Sequence, residues 1–172
     1  MVLEYVQLFA HPDTPPLTVS SVEAVCWFEE GRWRFRYLVE GAGQIVLPDP
    51  QDPGRADELW RTTCFEAFIG GNGASYREYN FAPSSQWAAY DFDARRQGMR
   101  HAVNEVEVWL ELGESWIAVE VAVTADLAPG SPLNLTAVIV EADGHKSYWA
   151  LAHPDGPADF HDPSCFIARL PE

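Results

Sequence analysis

Basic residues are scarce in this chain. Eleven Lys and Arg stand against 26 Asp and Glu, giving a formal net charge of −15. Binding to nucleic acid or to an anionic membrane needs basic patches that displace counterions, so this deficit argues against both. It fits a neutral or cationic small ligand. Cysteine is almost as rare: Cys26, Cys64 and Cys165 form an odd set with neither a disulfide framework nor zinc spacing. Two of them fall in apolar strand patterns, where a free buried thiol is the expected state. No window reaches the ~20 apolar residues of a membrane helix. The opening MVLEYVQLFAHPD has neither the basic region nor the apolar run of a signal peptide. A cytoplasmic protein is therefore expected. A sustained 3.6-residue period is also missing, a turn near Ala94 to Met99 apart, which excludes a helical architecture.

What is present reads as strands. With 172 residues the chain suits one domain, residues 1–172, and a hydrophobic share of 47% excludes disorder. Val2 to Leu8 suggests a first edge strand. Ser21 to Glu30 alternates, with Val22, Ala24, Cys26 and Phe28 on one face. After a turn at Glu30-Gly31, Arg32, Arg34 and Arg36 alternate with Trp33, Phe35 and Tyr37, the clearest half-buried strand. The arginines suit a solvated sheet face among carboxylates. Residues 41–58 are broken by proline and read as a loop forming one wall of a site. Trp87 to Phe92 gives another strand, and Asp93 to His101 a basic loop. Asn104 to Leu112 and the run to Thr124 form a second hairpin, with Val106, Val108, Val119 and Val121 inward and Glu107, Trp109 and Glu111 outward. Leu133 to Glu141 and Lys146 to Leu151 pair back on one another, a loop runs from Ala152 to Ser164, and Cys165 to Leu170 closes the chain. About ten short strands spaced by turn residues predict an all-β fold, an antiparallel sandwich.

The stretch from Leu59 to Trp87 breaks the pattern. Leu59 to Ile69 is apolar or small on both sides of the pleat, the signature of a strand buried on both faces, yet Glu66 sits in its middle. A carboxylate there is costly unless paired or hydrogen-bonded. Gly70-Gly71-Asn72-Gly73 closes a tight turn, and the return strand, Ser75 to Pro83, adds Arg77, Glu78 and Asn80. Two core strands carrying a Trp, a Glu and an Asn look like the floor of a binding site. Glu66 could equally be a structural carboxylate paired with Arg61 or Arg77. Trp60 could cap the core, Asn80 could bond turn amides, and His161 could stabilise its own loop. Tyr148 and Trp149 read as core.

Trp60-x-x-x-x-x-Glu66-x-Phe68-Ile69 followed by Glu78-x-Asn80, with Ser147-Tyr148-Trp149 and Asp159-Phe160-His161-Asp162-Pro163-Ser164-Cys165-Phe166 near the end, resembles the DOMON-like domains and specifically the family 9 carbohydrate-binding modules. The resemblance spans Glu58 to Leu170 and implies a β-sandwich. It also implies a saccharide held between two tryptophans, with acidic and amide side chains on its hydroxyls. The first tryptophan falls on Trp60; the second falls where this chain has Phe160, which stacks with less area and has no N–H donor. Glu66 and Asn80 match the hydroxyl-binding carboxylate and amide, and Glu78 a further polar contact. The candidate ligand-binding set is Trp60, Arg61, Glu66, Arg77, Glu78, Asn80, Phe160 and His161, with no cofactor and no metal. Without a signal peptide, the ligand would be a soluble sugar, a nucleotide sugar or another metabolite.

Three other classes stay open on the residues. Some DOMON-like domains bind haem, which would need Met99 as an axial ligand. Catalysis could use Glu66 with Glu78 as an acid/base pair, a metal on His153, Asp155, Asp159, His161 and Asp162, or a thiol at Cys165. A protein-binding scaffold would present Trp109 and Trp116.

Overall fold

The computed structural model describes residues 4–172. Every regular element longer than a single 3-10 turn is a strand, as period-2 alternation without helical periodicity requires. Sheet A contains β2 (Ser21–Glu29), β3 (Arg32–Glu40), β9 (Glu105–Leu112) and β10 (Trp116–Thr124), in the order β2-β3-β10-β9. Sheet B contains β4 (Gly54–Arg55), β5 (Cys64–Gly70), β6 (Tyr76–Phe81), β7 (Gln86–Phe92), β11 (Pro132–Val140) and β12 (Lys146–Ala150), in the order β4-β7-β6-β5-β11-β12. Two short strands, β8 (Arg100–His101) on β7 and β13 (Ala168–Arg169) on β11, extend it. All pairings are antiparallel except the two-residue contact of β4 with β7.

β1 (Val6–Ala10) joins the two sheets. Val6 to Leu8 pair with β2, whereas Phe9 and Ala10 pair with β12. It is thus a shared seam, where the sequence suggests an edge; residues 2 and 3 of that expected strand lie outside the described residues.

The inner faces of the two sheets pack into one core. Phe35 and Tyr37 of β3 meet Phe81 and Phe65 of sheet B at ring-centroid distances of 5.7 and 5.0 Å, and Val119 and Val121 of β10 are fully buried beside them. The Tyr37 hydroxyl reaches across and donates 2.7 Å to the Glu66 carbonyl. The β2–β3 turn sits on Glu30 (φ 50°) and Gly31 (φ 78°), the paired positive φ that matches a two-residue turn to strand twist.

The alternation that sends Phe65, Ala67, Ile69, Tyr79 and Phe81 into this core sends Glu66, Phe68, Glu78 and Asn80 to the other side of sheet B. That side is covered too. A second apolar cluster, including Phe68, Tyr76, Phe92, Val138 and Phe160, lies there beneath the loops at 93–99 and 151–164. Two covered faces explain why all of β5 before its last glycine is buried.

One boundary differs from the sequence reading. Leu59–Arg61 form a 3-10 turn, and β5 begins only at Cys64. Glu58 enters that turn with φ 59°, and the backbone N–H groups of Arg61 and Thr62 bond back to Glu58 and Leu59. The apolar run conceals this, because Leu59 is buried for a tertiary reason rather than a strand one.

Candidate functional site

A cavity of about 690 Å³ opens on the covered side of sheet B, within the range of small-molecule sites. Its floor is the β5–β6 pair. Register places Asn80 directly opposite Glu66 and Glu78 directly opposite Phe68, and Thr136 of β11 flanks Glu66 on its other side. The walls are aromatic: Phe68, Tyr90, Phe92, Tyr148 and Phe160. Trp60 stands at the mouth on its 3-10 turn, 46% exposed, with the Arg61 guanidinium 5.0 Å from its ring centroid. Trp60 is therefore free to stack on a ligand rather than capping the core.

Two loops close the cavity and are tied together by charge. Arg96 of the 93–99 loop bonds Asp159 at 2.9 Å, and Arg95 bonds both Asp159 and, at 3.1 Å, Asp162. The second loop is anchored below by Asn134, whose amide donates 3.2 Å to the Phe160 carbonyl. Its His161 Nδ1 shares a 2.7 Å hydrogen bond with the Tyr76 hydroxyl, which itself accepts from the Arg96 N–H. The other ring nitrogen, Nε2, lies 3.6 Å from the Glu78 carboxylate. Burial, aided by the Arg96 charge, pushes His161 down to about 4, so it is neutral at physiological pH.

The two carboxyls at the floor are 2% and 6% exposed. Burial, then repulsion from Glu78, raises Glu66 well above the usual carboxylate range despite a 3.0 Å bond from the Thr136 hydroxyl. Burial also pushes Glu78 up to about 7, against the opposing influence of the Asn80 amide and Arg96. Asn80 is fully buried, and although its amide lies near enough to favour the charged form of Glu78, neither amide atom meets a hydrogen-bond partner.

Of the eight candidates, Trp60, Glu66, Glu78, Phe160 and His161 line this cavity, and Asn80, opposite Glu66 on the same face of the sheet, is buried beneath it. Phe160 is 9% exposed and packs its ring edgewise on Phe68 and Tyr148, so it is a wall element rather than a free platform. Two candidates lie elsewhere. Arg77 projects from the opposite face of β6, where it bonds Asp91 at 2.7 Å and Asn104 at 3.3 Å. Arg61 is at the rim, bonded to Glu58 at 2.9 Å. Neither pairs with Glu66, so the structural ion pair considered from sequence does not form.

Sequence reasoning missed several lining groups. Tyr148 was read as core; Trp149 is core, but Tyr148 alternates into the cavity. Strand parity was the available signal. Arg96 and Met99 come from a loop whose path no periodicity encodes and His101 from the two-residue β8, whereas Asp57 and Glu58 belong to the 41–58 segment that the sequence suggests as a wall. Met99 is 60% exposed at the mouth. Among the described residues, no three His, Cys, Asp or Glu side chains converge as metal ligands would, and no helix is long and apolar enough to cross a membrane.

No protein-family profile and no curated protein sequence matches this chain. Solved structures do. A protein from Bacteroides uniformis ATCC 8492 proposed to bind carbohydrate superposes with a TM-score of 0.65 at 15% identity, over 95% of this chain and 84% of that one. The fold is similar to that of the family 9 carbohydrate-binding modules. One such module, from Caldicellulosiruptor kristjanssonii and solved in complex with cellotriose, gives a TM-score of 0.64 at 12% identity, over 95% of this chain and 80% of the module.

Proposed function

We propose that this protein is a non-catalytic saccharide-binding domain whose ligand enters the cavity beside Trp60, and that it belongs by motif to the DOMON-like group. The observation that carries the reading is the composition of the cavity: aromatic walls above a floor of Glu66 and Glu78. Sugars present apolar C–H faces that stack on rings and hydroxyl edges that need fixed hydrogen bonds. The cavity offers both kinds of surface, rings at its walls and mouth and polar groups at its floor. The likeness to a module that holds cellotriose supports the same reading at the level of fold.

Hydrolysis fits less well. Glycosidases separate the roles of two carboxyls by giving them different environments. Here burial raises both acids in the same direction.

Calorimetric titration with hexoses, cello-oligosaccharides and aminohexoses tests the proposal. Wild type binds at least one of these classes, and Trp60→Ala, still folded, loses most of that affinity. Binding unaffected by the substitution would move the ligand away from this cavity. Silence across the panel would sink the saccharide reading.

A further inference from the structure

The acids around the cavity fall into two groups. At its rim, each has a guanidinium: Asp57 lies 3.7 Å from Arg55, Glu58 2.9 Å from Arg61, and Asp159 2.9 Å from Arg96. At its floor, Glu66 and Glu78 have none. Among the described residues, no Lys or Arg comes within ion-pairing distance of either, and the one nearby base, His161, is held neutral. The rim arginines are committed to rim acids. Two carboxylates taken out of water without a contacting counterion are expensive to keep charged, and Arg96, bonded to Asp159, acts on them only from a distance.

The same floor has spare hydrogen-bond acceptors and few donors. Glu66 Oε2 accepts from Thr136, and its other oxygen has no such partner. Asn80, opposite Glu66 and two residues along from Glu78, is buried beneath the lining with both amide atoms unpartnered. Directly opposed residues on adjacent strands have Cβ atoms about 5 Å apart and diagonal ones about 7–8 Å. Glu66 and Glu78 are therefore diagonal neighbours that face one region of the cavity floor. A hydroxyl has one proton to give such a region. An ammonium has three, with a positive charge.

We infer that the ligand bears a primary ammonium group, an aminohexose or a derivative of one, with its nitrogen over Glu66 and Glu78 and its ring against Trp60. The inference rests on the saccharide reading of the cavity. It names the missing cation as part of the ligand. An N-acetyl group would replace three donors by one and remove the charge, so N-acetylated sugars are discriminated against. A neutral hexose keeps the ring contact and a hydroxyl's single donor, without the charge.

Titrating the wild-type protein with glucosamine, galactosamine and mannosamine, each beside its neutral parent and its N-acetyl form, tests this directly. At least one amine is expected to bind ten-fold or more tightly than both of its neutral counterparts. Glu78→Gln should reduce that preference to about two-fold, and Glu66→Gln should act in the same direction. Equal binding of amine and parent, or tighter binding of the N-acetyl form, would overturn the ammonium inference and leave the saccharide reading intact. Absence of binding by all members of the panel to the folded protein would overturn both. The wild-type comparison needs no variant, so it decides between these outcomes even where a glutamine form folds poorly.

Discussion

Glu141 and Glu66 are both carboxylates buried in sheet B, yet their surroundings are opposite. Glu141, at the end of β11, accepts from the backbone N–H groups of Leu17, Thr18 and Val19 at 2.8, 2.7 and 3.1 Å and from the Thr18 hydroxyl at 3.0 Å. Burial works against its charge, but those four donors more than compensate and hold it below the ordinary carboxylate range. Glu66 has one donor and an acidic neighbour, and is pushed far the other way. The outer face of sheet A gives a third setting. There Arg36 lies 2.9 Å from both Glu111 and Glu120, and Arg32 lies 2.7 Å from Glu107, all near solvent. An acid that holds the fold is saturated with donors; one on the surface is matched by a neighbour. The acid left short of both lies at the cavity where the proposed ligand would bind.

Substitutions at these three settings should separate in size. The largest loss is expected for Glu141→Ala, which strands three backbone N–H groups beside the β11 end. Unfolding in urea should show a loss of about 3–5 kcal/mol. A loss under about 1 kcal/mol would mean that water replaces the carboxylate freely and that the contrast with Glu66 is empty.

Glu78→Gln should behave in the opposite sense. Because Glu78 is raised in the folded state to about 7 from an ordinary 4.5, the folded protein holds more protons than the unfolded chain between those values. Its contribution is complete below about 4.5 and is lost as pH rises to about 7. His161, lowered to about 4 from 6.5, acts against this, losing stability as pH falls over a similar window. Removing the Glu78 charge leaves the histidine trend together with that of Glu66, which burial still raises. The stability of Glu78→Gln relative to wild type should therefore improve by an amount on the order of 3 kcal/mol from about pH 4.5 to about pH 7. Paired urea titrations across that range provide the check, and a flat difference would place Glu78 in water.

Arg36→Ala should cost less than about 1 kcal/mol, and the difference should shrink further in about 0.5 M salt. Trp60→Ala should change stability least, within about 0.5 kcal/mol, because its ring is nearly half exposed. A marked fall in melting temperature for this variant would restore Trp60 to the core and remove the reason for placing a ligand beside it.

The sandwich was legible because strand parity is written in side chains. Val106 and Val108 inward against Glu107 and Trp109 outward needed no tertiary information. The floor of the site was legible for the same reason: Glu66, Glu78 and Asn80 interrupt otherwise apolar faces, and the glycine-rich turn fixes which of them meet. The walls were hidden. Arg96, Met99 and Asp159 belong to loops that only the folded sheet brings together, and Arg77 fell one residue out of phase with the cavity. The 3-10 turn at Leu59–Arg61 was hidden by its own apolar sequence. Trp109, 45% exposed, lies outward as its parity implies, on the face where charges are already paired.

The seam at β1 has a consequence for how the protein is made. Phe9 and Ala10 must find Ala150 and Trp149 before the two sheets share a strand. Contacts between segments so far apart in sequence are slow to form, and synthesis delivers the first strand long before its partner. On the ribosome, β1 to β3 can pair as a local meander, but half of the first strand stays unsatisfied until residue 150 has emerged. The wait exposes a bare backbone edge, so a slow step in translation of the last strands lengthens the interval in which that edge is open to chaperones or to other chains.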